Sequence, residues 1–231
     1  MRRILTALAF VTAFAGPAKA DGPVVVELYT SQGCSSCPPA DAMLHDLAGQ
    51  PDVIPLALHV DYWDYIGWVD SFADPANTRR QQAYAHAAGS SMVYTPQMII
   101  GGQDHVVGTK PVDVIRAIEL HKDQVTGVRI SVTRTGDMLH VTGETQRPFT
   151  FGDAVVQVVR FTPHDTVDIP RGENAGRTFS YANIVTDWQI VGRWAGQDNL
   201  DLSLAASGTD PVVVIVQQPG PGAVLASAVL R

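Results

Sequence analysis

Residues 24–30, Val-Val-Val-Glu-Leu-Tyr-Thr, are β-branched or apolar with a single acid among them, a run that predicts a strand covered on both faces, as in a parallel sheet. The turn Gly33-Cys34-Ser35-Ser36-Cys37 follows at once. Ala40, Met43, Leu44 and Leu47 then recur at helical spacing, so a helix is expected over 40–48, with Pro38 and Pro39 at its start, where missing N–H groups cost nothing. A second strand is expected over 53–61. It runs into Tyr62-Trp63-Asp64-Tyr65-Ile66-Gly67-Trp68, which follows neither period and reads as a packed loop capped by Asp61 and Asp64. Asp74-Pro75 has the form of an N-cap and first-turn proline, and the helix continues through 79–88 to a stop at Gly89. A third strand over 93–101 carries Thr95-Pro96 near its start, Gly101-Gly102 turns the chain, and 103–107 is its hairpin partner. A helix over 111–124, with Val114, Ile115, Ile118 and Leu120 inward, closes an α/β half.

After Gly127 the period changes to two. Segments 128–132 and 138–142 flank a Thr135-Gly136-Asp137 turn, and further strands are expected at 154–161, 178–185, 188–194, 200–204, 212–217 and 224–230. About eight short strands separated by Gly, Pro, Asp or Asn predict a β-sandwich, with Trp188 and Trp194 in its core. The expected organisation is a leader at 1–20, an α/β domain at 21–126 and an all-β sandwich-like domain at 127–231. The leader is read from Arg2-Arg3, the apolar run from Ile4 to Ala15 and the small-residue site Ala18-Lys19-Ala20, the order of a secretory signal. That run is shorter than the roughly 18 apolar residues of a membrane span, so no stable membrane insertion is expected after cleavage. The expected location is the periplasm or outside the cell, where thiols meet an oxidising environment.

Composition narrows the function. Hydrophobic residues make up 45% and charged residues 17%, enough for a packed core, and 23 acids against 16 bases give a net charge of -7, which excludes nucleic acid as a partner. The chain has 2 cysteines, too few for a disulfide scaffold or a four-cysteine zinc site. They form Cys34-x-x-Cys37, at a strand-to-helix turn. A helix N-terminus there favours a thiolate on Cys34, which can attack a disulfide, and Cys37 can resolve the product by exchange without any cofactor. The same motif serves zinc, copper or a plain structural bridge. His59 and Asp61 alternate at the end of the second strand, and Cys34, Cys37 and His59 make an alternative metal set, as in a copper-handling module. Tyr62 and Trp63 suit a substrate-facing aromatic rim, with core packing as the alternative. The polar loop 171–177, Arg-Gly-Glu-Asn-Ala-Gly-Arg, either packs over the cysteines or is held by its own Arg-Glu pairing. No other catalytic constellation is visible in the β half.

The strand at 24–30, the Cys34-Ser35-Ser36-Cys37 turn opening a helix, and Thr95-Pro96 before a hairpin and last helix resemble the thioredoxin superfamily. The longer stretches 27–41, 59–68, 94–97 and 171–177 resemble a bacterial family of exported thioredoxin-like proteins of unknown function. The resemblance implies an α/β thioredoxin-like domain followed by an all-β sandwich-like domain. It also implies a cis Pro96 lying against a Cys34–Cys37 disulfide, and a Thr95 backbone that pairs with an incoming peptide. Thioredoxins relay the proton of the second cysteine through a buried acid on the first strand, and Glu27, the only acid on 24–30, is expected to accept the Cys37 proton. The motif lacks the Trp before and the Pro between the cysteines of ordinary thioredoxin, so the direction of electron flow is not carried over. The expected activity is thiol–disulfide exchange with protein or small-molecule thiols and disulfides, including a redox partner in the cell envelope. A non-catalytic binding protein with a structural disulfide is the further alternative.

Overall fold

Two consecutive runs without an exposed residue, Val24–Thr30 (β1) and Val53–His59 (β2), form adjacent parallel strands in register from Val24↔Val53 to Thr30↔His59. The computed structural model describes residues 22–206 and 208–231, so the expected leader at 1–20 lies outside the described residues. Both faces of the pair are covered, as the unbroken apolar runs require. On one face Val24, Val26 and Leu28 pack with Ala40, Leu44 and Leu47 of helix α1 (Pro38–Leu47) and with Val114, Ala117 and Ile118 of α3 (Pro111–Lys122). On the other, Val25, Tyr29, Ile54, Leu56 and Leu58 pack with Tyr84 of α2 (Pro75–Ala87). Asp74 caps α2 as expected, its side chain accepting from the Ala76 N–H. On α3, Ile115 and Leu120 are 40% and 58% exposed, contrary to the inward placement expected of them, because the buried stripe is Val114, Ala117, Ile118 and His121.

β3 (Gln97–Ile100) runs antiparallel beside β1 and pairs with β4 (Asp104–Val107). It is shorter than the expected 93–101: residues 93–96, which include the cis peptide Thr95-Pro96, lie outside the strand. From residue 128 the strands are β5 (Val128–Thr135), β6 (Met138–Thr145), β7 (Ala154–Ile169), β8 (Arg177–Trp194), β9 (Leu200–Ala205), β10 (Val212–Gln217) and β11 (Val224–Leu230). The two strands expected at 178–185 and 188–194 are one 18-residue strand, β8, paired along its length with the 16-residue β7 through two bulges.

The strands after 127 do not form a sheet system of their own. β5, β6 and β9 make a three-stranded sheet, whereas β11, β10, β7 and β8 continue past β2 into one eight-stranded sheet of order β11-β10-β7-β8-β2-β1-β3-β4. The junction is a single parallel bridge, Ala57↔Ile184. Next to it Asn183, at φ 50, donates its side-chain N–H to the carbonyl of Pro55 in β2. A sandwich core does exist between the three-stranded sheet and the far end of the large one, with Val132, Leu139 and Val141 against Val156, Val158, Trp194, Val212 and Val214. One of its layers is therefore the extension of the α/β sheet, and the expected boundary at 126/127 runs through that layer, with β1–β4 on one side of it and β7, β8, β10 and β11 on the other.

A buried ion pair ties the two parts. Arg80 of α2 donates from Nε and Nη2 to Glu27 of β1 at 2.7 and 2.8 Å, and the hydroxyls of Tyr29 and Tyr84 donate to the same carboxylate. Arg80 also reaches Gln157 of β7 and Gln217 of β10, and its guanidinium lies 3.8 Å over the ring of Trp188 in β8. Burial works against the Arg80 charge, but Glu27 beside it more than offsets this and raises the pKa. Replacing Arg80 with Ala leaves a buried carboxylate without its cation. The expected loss of unfolding free energy is about 3–5 kcal/mol, read from urea titration, and a loss below about 1 kcal/mol would contradict the pairing.

Candidate functional site

Where β1 ends at Thr30 the chain turns through Ser31-Gln32-Gly33 into the cysteines. The Cys34 N–H bonds to the Ser31 carbonyl and the Cys37 N–H to that of Cys34, and Cys37 is the N-cap of α1, with the prolines in its first turn. Cys34 and Cys37 form a disulfide, with Cα atoms 5.4 Å apart. Both are buried, Cys34 slightly less so, while Ser35 and Ser36 between them face solvent. The donor end of α1 thus lies beside the sulfurs, where it stabilises negative charge.

Three segments close around this turn. The first is the loop before β3: the Thr95 hydroxyl donates to Cys34 Sγ at 3.2 Å and itself accepts from Trp63 Nε1 at 2.7 Å. Gly108 fixes the approach from behind, since a Cβ there would meet the Ala40 and Pro96 side chains at 3.0 and 3.1 Å. The second is the aromatic loop after β2, in which Trp68 Nε1 donates to Gln32 Oε1 and Asp70 Oδ2 accepts from the Gln32 N–H. The third is the 171–177 loop at the tip of the β7–β8 hairpin. Asn174, buried, donates its side-chain N–H to the carbonyls of both Gln32 and Cys34, and Arg177 donates to its Oδ1. Of the two readings of this loop, packing over the cysteines is the one the geometry supports.

Of the sequence candidates, Cys34, Cys37, Thr95, Pro96 and Trp63 come together. Tyr62 stands beside them: its hydroxyl donates to Gln81 of α2 and shares a side-chain hydrogen bond with Thr95, while its ring packs on the α2 face of the sheet. Tyr65, stacked on Trp63, is 81% exposed and forms the outer rim. Asp61 and Asp64 do cap the loop, accepting from the Thr78 hydroxyl and the Asp70 N–H. Glu27, expected to take the Cys37 proton, is a correction: it points to the opposite face of β1, where Arg80, Tyr29 and Tyr84 bind its carboxylate. Alternation along β1 explains this, because Val26, Leu28 and Thr30 face α1 while Val25, Glu27 and Tyr29 face α2.

A different acid occupies the α1 face. Asp41, buried in the first turns of α1, accepts from the Thr30 hydroxyl at 2.7 Å. Burial pushes its carboxyl up to about 7, against the opposing pull of His59 and of the Thr30 hydrogen bond. His59, fully buried, lies with Nδ1 2.7 Å from Asp70 Oδ2, and its Nε2 has no hydrogen-bond partner among the described residues. Tyr181 and Phe72 meet the His59 ring edge-on. Among the described residues no three His, Cys, Asp or Glu side chains are grouped to hold a metal, so Cys34, Cys37 and His59 are not assembled as a metal set. No sequence pattern above singles out Asp41, Asp70 or Asn174. For Asp41 the signal was present, since it lies four residues after Cys37 on a face shared with Ala40 and Leu44.

Residues 25–217 match the family described as a protein of unknown function, DUF1223. A crystal structure of a protein from Agrobacterium tumefaciens, determined as a structural-genomics target, is similar over 92% of this chain and 96% of its own, at 37% identity and a TM-score of 0.79. No curated protein matches the chain. Asn174→Ala removes the side-chain donor from the Gln32 and Cys34 carbonyls. It is expected to cost about 1–3 kcal/mol of stability and to speed alkylation of Cys34 in the reduced protein. Unchanged stability and alkylation rate would show that the loop does not hold the turn.

Proposed function

The chain belongs to the DUF1223 family, and from the surroundings of its disulfide we propose that it is a thiol–disulfide oxidoreductase with a thioredoxin-like core, exported to the cell envelope. It exchanges disulfides with protein or small-molecule thiol partners. The observation that carries this reading is the donor chain Trp63 Nε1 to Thr95 hydroxyl to Cys34 Sγ. A bridge with no catalytic task needs no hydrogen-bond donor on its sulfur, whereas a nucleophilic thiolate is stabilised by one. A purely structural role also gains little from this bridge. Its sequence separation is 3, and closing so short a loop constrains the unfolded chain by only about 2 kcal/mol in the chain-entropy account.

In the reduced protein the Cys34 thiolate, held by the Thr95 hydroxyl and the N-terminus of α1, attacks one sulfur of a partner disulfide. A mixed disulfide forms and the other partner sulfur leaves as a thiolate. Cys37 then attacks Cys34 Sγ, the internal disulfide forms, and the second partner sulfur leaves. Two electrons pass from the cysteines to the partner, and the reverse sequence oxidises a dithiol. The half-buried Thr95 and the exposed Tyr65 rim offer the partner a backbone and an apolar contact beside the bridge.

Cys34→Ser is expected to abolish exchange and Cys37→Ser to accumulate mixed disulfides visible on non-reducing gels. The reduction potential is expected within the roughly -120 to -270 mV span of known exchangers, and a value below about -300 mV would make the bridge structural. Thr95→Val, which deletes one hydrogen bond to the thiolate, is expected to raise the Cys34 pKa by about 1 unit. The pH dependence of iodoacetamide alkylation reads that shift, and no shift would remove the hydroxyl from the mechanism.

A further inference from the structure

Resolution of a mixed disulfide needs a base for Cys37, because a buried thiol raised by its apolar surroundings is a weak nucleophile. Glu27 is not available for this: it faces away from α1, and its carboxylate is bound by Arg80, Tyr29 and Tyr84. We propose that Asp41 is the proton acceptor of Cys37, oriented by Thr30 and set beside the buried His59–Asp70 pair. The inference rests on the exchange reading above and assigns it a residue.

The placement follows from backbone geometry. The Asp41 N–H bonds to the Cys37 carbonyl at 3.1 Å, so the two residues are one helical turn apart on one face of α1, and both are buried against the sheet. Thr30 and His59 are register partners on β1 and β2. Thr30 reaches Asp41 Oδ1, and His59 continues the face on which Ala57 packs against α1. His59 is held in turn by Asp70, whose carboxylate is fixed by the N–H groups of Gln32 and Phe72. Every element packed around Asp41 therefore contributes a group to its titration. These are Thr30 from β1, His59 from β2, Asp70 from the aromatic loop, and Tyr181 from β8, which feels Asp41, Asp70 and Arg177. Among the described residues no Arg or Lys reaches this carboxyl as Arg80 reaches Glu27, and burial leaves it titrating at about 7. A carboxyl titrating there accepts a proton readily at neutral pH and returns it readily.

The step balances. Asp41 as carboxylate takes the Cys37 proton, the Cys37 thiolate bonds to Cys34 Sγ, the bond from Cys34 to the partner sulfur breaks, and the partner leaves as a thiolate that picks up the proton. In the oxidising direction Asp41 returns a proton to Cys37 as the internal disulfide opens.

The two steps separate with 5,5′-dithiobis(2-nitrobenzoate) and the reduced full chain. One coloured thiolate is released when Cys34 attacks and a second when Cys37 resolves. Between pH 5 and 9 the second phase of the wild-type protein is expected to accelerate through an inflection near the Asp41 value of about 7, since the carboxylate is the active form. Asp41→Asn should leave the first phase within about twofold, slow the second about 100-fold and abolish that inflection. Thr30→Val, which removes the donor that favours the ionised carboxyl, should move the inflection to higher pH. It decides the question independently if the Asn variant does not fold. A second phase with unchanged rate and pH profile in both variants overturns the assignment to Asp41. An unreactive Cys34 in the folded wild-type protein overturns the exchange reading itself.

Discussion

Glu27 sits in the middle of a strand buried on both faces, and a carboxylate there costs several kcal/mol in lost hydration unless its partners are good. Its partners are good: a two-pronged Arg80 and two tyrosine hydroxyls. Arg80 in turn needs acceptors for its remaining N–H groups and finds them in Gln157 and Gln217, which themselves exchange a hydrogen bond at 2.9 Å. The polar requirements of β1 are thus met by strands that arrive more than a hundred residues later in the chain. The α/β part and the β part fold as one layer because neither can satisfy this cluster alone. The single bridge between β2 and β8 then suffices as a junction.

That joint layer also builds the site. Extending β7 and β8 past the sandwich, along 16 and 18 residues, carries the hairpin tip to the far end of β1, where Asn174 binds the turn that holds Cys34. A shorter hairpin would close the sandwich core equally well and would not reach. The length of the hairpin is therefore explained by the site rather than by the core.

What the sequence made legible follows the range of the interactions. The unbroken runs of β1 and β2, the proline-started helices, the cysteine turn and the loop at Thr95-Pro96 are local, and each was readable from a few residues. Strand order was not, because the partner of β2 is chosen by Asn183 and a polar cluster dispersed from residue 27 to 217. The fusion of 178–185 with 188–194 was hidden by Thr186 and Asp187, which read as a break but lie within the paired strand. The expectation placed on Glu27 was an error of face rather than of residue type. Counting back from Cys34 gives proximity along the chain, and only the period-two alternation of β1 says that Glu27 lies on the face away from α1.

The two acids on opposite faces of one layer differ in what their burial does to stability. Glu27 is neutralised by a cation that also holds the sheet together, so its charge supports the fold. Among the described residues no Arg or Lys pairs with Asp41: the native state keeps its proton up to about 7, whereas a free aspartate side chain titrates at 3.8. The folded chain therefore binds more protons than the unfolded one between these values, and stability falls as the pH rises through that window. A hydrophobic residue of similar size at position 41 would avoid that penalty but leave the buried Thr30 hydroxyl without this acceptor. A buried acid one helical turn from a cysteine, its burial only partly offset by His59 and the Thr30 hydroxyl, costs the fold stability and returns its benefit only when a proton has to move.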